Sequence, residues 1–373
     1  MNNKVKTEQA ALLLALILPA GKMAKLPIVM ARGAGRDYWI SMLILFVFDY
    51  ICLLFTLWAL KINKEGKSLN EVLVATVGKV ASKIIFIVFF AFFFLRAASK
   101  MEACMRLMTA TFTMTANWIA YTLPVLGVMF FMVRKGMNNI ARLSEMLFVI
   151  IGLALLWITI FAAKQADFSN LKPILDDGPG PVLTTAFNGT LWFSDYLFLL
   201  FIMDKFRPNK NVFGSMSFGF GVSSGVTVFI NVVYIGLYDQ LTTVADSMIS
   251  KVSQFSISTT TSGRLDWLAV AIWLLAFFLK MAVNFFCGYK CLAYLFGLGE
   301  SRFHNWVPAI MFLPIIIVPL FIPAGDLILN KMNIDFHSAV FWPVQFLLPL
   351  LLPLLVHIAM KKEKAKTVYP RRA

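Results

Sequence analysis

The sequence predicts an all-α polytopic membrane protein of about ten spans, built as two five-helix repeats of inverted topology with broken first and sixth spans. Three observations lead there. The chain is 60% hydrophobic and only 14% charged, with a mean hydropathy of +0.78, too little polar surface to cover a water-soluble fold of 373 residues. Apolar runs of about 20 residues recur, the length that crosses about 30 Å of hydrocarbon at 1.5 Å per residue. Helix-breaking and charged residues interrupt two of these runs, five spans apart.

Taken in order, the apolar runs place spans near 7–32, 39–61, 81–107, 118–133 and 140–162 in the first repeat (7–162). The second repeat (181–360) holds spans near 181–204, 212–238, 265–289, 306–322 and 340–360. Residues 1–360 thus read as one transmembrane domain and 361–373 as a basic tail. Trp39 to Leu60 and Ile140 to Ala162 are continuous apolar runs, which excludes the short alternating segments of a barrel. The first run, Ala10 to Pro19, is short enough to imitate a signal peptide, but nine more spans follow and it reads as a retained helix. Cys52, Cys104, Cys287 and Cys291 lie in apolar runs without metal-ligand spacing, so they read as packing residues.

A net charge of +15 in a soluble protein would suggest nucleic acid. Here the basic residues fall mainly between spans and report orientation instead. Counting loops with the termini on one side gives 21 lysines and arginines on that side against 9 on the other. The positive-inside bias therefore puts both termini in the cytoplasm. The longest outer segments, 164–180 and 238–267, have room for interfacial helices or a partner surface.

Pro19, Gly21 and Pro27 break span 1, and Asn188, Gly189, Thr190, Ser194 and Asp195 interrupt span 6. Lys22, Lys25 and Asp195 lie at the same depth, where each costs roughly 2.5–3.5 kcal/mol on insertion scales and needs a partner or a watery cavity. Asp195 can pair with either lysine. The predicted pocket sets Gly21 and Lys22 against Asn188, Gly189, Thr190 and Ser194, with freed backbone groups binding a solute's polar ends. Arg96 and Lys100, like Glu102 and Arg106, are four apart on one face of span 3 and read either as snorkelling charges or as an outer vestibule. Asn231, Lys280 and Asn284 are interhelical ties or further ligands.

Other motifs fail. Gly66, Lys67 and Ser68 resemble the end of a phosphate loop, but Lys61 stands where its first glycine belongs. Gly219, Gly221 and Gly225 lie within span 7, and His304, His337 and His357 are scattered without ligand spacing. No metal, cofactor or nucleophile constellation emerges, so the chain does not read as an enzyme.

Four segments carry a family resemblance: ALILPAGKMAKLPIVMARGAGRDYWIS at span 1, KGMNNIARLSEMLFVIIGLALL entering span 5, ADFSNLKPILDDGPGPVL before span 6, and SMISKVSQFSISTTTSGRLDWLAVAIW before span 8. As a set they resemble the spore germination permeases, the B subunits of nutrient germinant receptors, within the amino acid/polyamine/organocation transporter superfamily. The resemblance implies a ten-span LeuT-type fold, a spore inner-membrane location, and assembly with an A subunit and a lipoprotein C subunit. It also implies a pocket that senses a nutrient, usually an amino acid. The sequence departs from the family's glycine-rich stretch before the Leu-Pro pair of span 1: Lys22 follows Gly21, and Lys25 precedes Leu26 and Pro27. Two ammonium groups there conflict with a standard zwitterion site. Where related folds place a sodium ion against span 1, the Lys25 ammonium is predicted to brace the carbonyls. Three functions compete: a sensing receptor subunit, an amino acid transporter driven by protons or exchange, and a scaffold with a vestigial pocket.

Overall fold

A computed structural model of the chain describes residues 4–111, 118–243, 247–255, 266–298, 331–332 and 334–368. Almost every described residue is helical. Span 1 breaks where proline and glycine fall: α1 (Thr7–Ala20) ends beyond Pro19, residues 21–25 form turns, and α2 (Leu26–Ala34) restarts with Pro27 in its first turn, where its missing N–H costs nothing. Then follow α3 (Tyr38–Ile62), α4 (Leu69–Val77), α5 (Lys79–Thr111), α6 (Trp118–Lys135) and α7 (Met137–Ala163). Span 6 breaks as predicted. α8 (Pro179–Gly189) passes into a 3-10 turn at Thr190–Trp192, then Ser194 in the left-handed region (φ 69°), then a 3-10 segment, Asp195–Ile202. Beyond it lie α9 (Val212–Tyr238), α10 (Met248–Gln254), α11 (Asp266–Leu295), π-helical turns at His337–Phe341 and Pro343–Leu347, and α12 (Leu348–Val368).

Six runs among the described residues are long and apolar enough to cross a membrane, and the broken span 1 adds the shorter apolar helix Thr7–Ala20. Predicted span 9 (306–322), His304, Arg264 and the side chain of Arg106 lie outside the described residues. α4 was not foreseen. Ser68 does not end a phosphate loop; it caps α4, accepting from the Glu71 N–H while Glu71 accepts from the Ser68 N–H at 2.8 Å. α10 occupies the 238–267 segment, where the sequence left room for a helix, and buries Met248, Ile249 and Val252.

Packing places both breaks at the centre of the bundle. α1 packs on α7, α9 and α11, while α3 packs on α8, α9 and α12 and α5 lies along α11. The N-terminal strand β1 (Val5–Lys6) pairs in parallel with β2 (Phe206–Arg207), and Lys362 of the C-terminal helix donates to the Ala75 carbonyl of α4.

Candidate functional site

The two breaks leave backbone groups without helical partners in a medium without water, so each must find one. Most do so within the protein. The carbonyls of Met23 and Ala24 in span 1 accept from the first N–H groups of α10, at Ile249 and Met248 (both 3.1 Å). In span 6, Arg96 of α5 donates through Nη2 to the Leu191 and Phe193 carbonyls at 2.8 and 2.6 Å, and its guanidinium lies 4.8 Å above the Phe92 ring. Gln345, in the π-helical turn before α12, donates to the Thr190 carbonyl at 2.7 Å, and the Thr190 hydroxyl meets His337 Nε2 at 2.7 Å. Asp49 of α3 accepts from the Ser194 N–H at 2.8 Å, which holds serine in a conformation that usually calls for glycine.

A charged cross-link joins the broken helices. Lys22 Nζ donates to Asp195 Oδ2 at 2.6 Å and to the Leu18 carbonyl at 3.2 Å. Lys280 of α11 binds the same carboxylate, 2.8 Å from Oδ1 and 3.0 Å from Oδ2. All three side chains are buried, and the Lys22 ammonium also sits 4.6 Å over the Phe193 ring. One carboxylate thus ties spans 1, 6 and 8 together.

Beside this cross-link lies a cavity of about 110 Å³, bounded by Gly21 and Lys25 of span 1, Arg96 and Lys100 of α5, Trp192 of span 6 and Phe277 of α11. A larger cavity, about 630 Å³, lies between Lys83 and Phe86 of α5, Asp204, and Tyr294 of α11. Between the two, Phe89 and Phe93 pack edge-on against Phe201 at 5.3 and 5.1 Å, a plug of aromatic rings.

The structure sorts the predicted residues. Gly21, Lys25, Arg96 and Lys100 line the smaller cavity, and Lys22, Asp195 and Lys280 form the cross-link behind it. Lys22, not Lys25, is the partner of Asp195 and the lysine that reaches a span 1 carbonyl; Lys25 is exposed. Thr190 and Ser194 build the break without lining the cavity. Asn188 is exposed and stands away from it, because α8 stays helical through Gly189 and turns that side chain outward. Gly189 is a packing glycine: a Cβ there would come within 2.9 Å of Leu45 and 3.3 Å of Met30. Asn231 is an interhelical tie, accepting from the Tyr38 hydroxyl and donating to the Thr227 carbonyl, and Asn284 is buried off the cavity. Asp49, Gln345 and His337 were missed. Their signal was a polar residue alone in an apolar run, which membrane insertion makes costly.

Discontinuous first and sixth helices, laid face to face around a charged cavity in a helical bundle, define a permease-type membrane protein of the LeuT fold. The chain belongs to the spore germination protein family, whose profile matches residues 4–324. It is 25% identical to spore germination protein YndE of Bacillus subtilis (strain 168), an alignment covering 76% of this chain and 79% of that protein. Spore germination protein A2 of the same organism is 22% identical, over 80% of this chain and 82% of its own. Among solved structures, the fold is similar to that of MhsT in complex with L-phenylalanine, with a TM-score of 0.61 and 13% identity over 94% of this chain and 97% of that one.

Proposed function

We propose that the chain is the solute-sensing B subunit of a spore germinant receptor, binding a small nutrient in the cavity between the two breaks and signalling to A and C subunits. The observation that carries this reading is the position of the cavity against the Lys22–Asp195–Lys280 cross-link. A solute there touches the walls whose relative positions that cross-link fixes, so occupancy can shift the balance between arrangements of spans 1, 6 and 8. No catalytic role is assigned. A transporter reading is favoured by the second cavity beyond the aromatic plug. Uptake of labelled solute into vesicles separates the two, since a sensor occupies its pocket without net flux. Co-purification of A and C subunits from spore membranes tests the assembly.

Gly21→Val is the direct test of the pocket. Gly21 has φ −95°, which any residue adopts, and its new side chain meets the movable ends of Lys280 and Lys100 at 2.8 and 3.0 Å. Because Lys280 is also an arm of the Asp195 cross-link, the variant is first checked for a monodisperse fold on size exclusion, and the folded protein should shift the germination dose response at least tenfold. An unchanged response would move the site elsewhere.

The localisation we propose is the spore inner membrane, with the termini in the cytoplasm on the strength of the loop charges. All four native cysteines are buried, so single cysteines added to the connecting segments 61–70, 134–142 and 205–211 can be labelled selectively. Impermeant maleimide applied to intact vegetative cells expressing the protein should miss all three loops, and efficient labelling at any of them would invert the orientation.

A further inference from the structure

The cavity at the breaks carries more information about its ligand than its position alone. Its backbone is largely spent. The carbonyls of Met23 and Ala24 are taken by α10, that of Thr190 by Gln345, and those of Leu191 and Phe193 by Arg96. Recognition therefore falls on side chains, and the polar ones facing the cavity are mostly donors. Lys100 presents an ammonium with three N–H groups, is 92% buried at a residue exposure of 8%, and is reached by no acceptor among the described residues. Arg96, which also lines the cavity, commits only its Nη2 to the span 6 carbonyls, and its Nη1 and Nε reach no acceptor among the described residues.

Acceptors are scarce. Asp195 already serves two ammonium groups, and Asp49, which accepts from the Ser194 N–H, does not line the cavity. Glu102, on the cavity wall, has a partner of its own. Lys100 and Lys280 both come within 3.0 Å of the point where a Gly21 Cβ would sit, so their nitrogens are within about 6 Å of each other and repel across a site of low dielectric. A buried ammonium without a counter-ion is costly, and an anion beside it removes that cost. An ammonium group in the same space would add a like charge.

We propose that this cavity selects a small carboxylate through its anionic oxygens, held by Lys100 and by the free edge of Arg96, and that it has no receptor for an amino group. At about 110 Å³ it has the space of roughly four waters at about 30 Å³ each, so the solute has only a few heavy atoms. Trp192 and Phe277 supply apolar walls for a short hydrocarbon tail. The inference rests on the sensing reading and narrows its solute class from amino acids to short-chain carboxylates.

The test uses the purified full chain in nanodiscs, titrated calorimetrically with propionate, L-alanine and L-alaninamide up to about 10 mM. Propionate should bind at least as tightly as L-alanine, and L-alaninamide, which keeps the amine but lacks the carboxylate, should not bind. Lys100→Met should weaken propionate at least tenfold, while Lys100→Arg, which keeps a cationic donor, should stay within about threefold of wild type. Binding of L-alaninamide as tight as that of propionate, no binding of propionate to wild type, or an unchanged affinity in Lys100→Met would overturn the proposal. Gly21→Val separates this failure from that of the pocket itself. If L-alanine binds, propionate does not, and Gly21→Val abolishes the L-alanine signal, the pocket stands and the carboxylate selection falls. If no probe responds to Gly21→Val, the pocket reading falls as well.

Discussion

Asp195→Ala is expected to lower the stability of the folded protein by roughly 3–5 kcal/mol, the usual consequence of removing one partner from a buried ion pair. The effect is large because a single carboxylate answers two ammonium groups, Lys22 at 2.6 Å in the turn that follows α1 and Lys280 at 2.8 Å on α11, and α1 and α11 also pack together. Without Asp195 both lysines stay buried and face each other uncompensated. Thermal unfolding of detergent-purified protein, read by the monodisperse fraction on size exclusion, measures the loss. Two companions separate charge from packing. Asp195→Asn keeps the shape and one acceptor oxygen but not the charge, and should fall between wild type and alanine. The triple variant Asp195→Leu, Lys22→Met, Lys280→Met replaces the whole cluster by apolar side chains and should recover most of the stability, since well-packed apolar groups commonly equal or exceed a buried ionic cluster. It should nonetheless give no germination response, because the element that ties spans 1, 6 and 8 is gone. An Asp195→Ala protein as stable as wild type would mean that water reaches the lysines, and the cross-link would lose its structural role.

The breaks in spans 1 and 6 were legible because their causes are local. Pro19 and Gly21 weaken a helix wherever they stand, and a polar cluster in an apolar run demands compensation at any position. The sequence also narrowed the partner of Asp195 to Lys22 or Lys25, but not further, because the choice depends on how a non-helical stretch of five residues turns. The same limit explains Asn188 and Gly189. Both were read as part of the break, yet α8 runs one turn further than their composition suggests, which sends Asn188 outward and sets Gly189 against Leu45. Asp49 and Gln345 stayed hidden for another reason. Each is a lone polar residue in an otherwise apolar span, and its meaning comes from a neighbour 145 or 155 positions away in sequence. The satisfaction of the span 1 carbonyls by α10 belongs to the same class: a contact between distant segments that no periodicity records.

Arg96 tests whether the span 6 break is held open from outside. Its Nη2 donates to the Leu191 and Phe193 carbonyls, and Phe193 keeps only a weak second contact, from Gln345 Nε2 at 3.4 Å. Arg96→Met should therefore orphan one buried carbonyl and nearly orphan another, for a loss of about 2–4 kcal/mol. It should also remove the guanidinium stacked on Phe92. Lysine is not an adequate substitute. Its ammonium is a point charge on a flexible stem and lacks the planar fork that holds its position against Phe92 while bridging two carbonyls, so Arg96→Lys should recover about half of the lost stability. Hydrogen exchange across residues 190–196 provides a readout that a general loss of packing would not imitate. If Arg96 holds the break, protection there falls in Arg96→Met while the N–H groups of α9 keep theirs. Gln345→Ala should give a smaller change confined to the same segment, because the Thr190 carbonyl keeps the Phe193 N–H at 3.1 Å and the Arg96 contacts stay in place. Uniform deprotection of the whole bundle in Arg96→Met would show that the arginine stabilises the fold at large. Unchanged protection at 190–196 would show that the break keeps its geometry without the arginine.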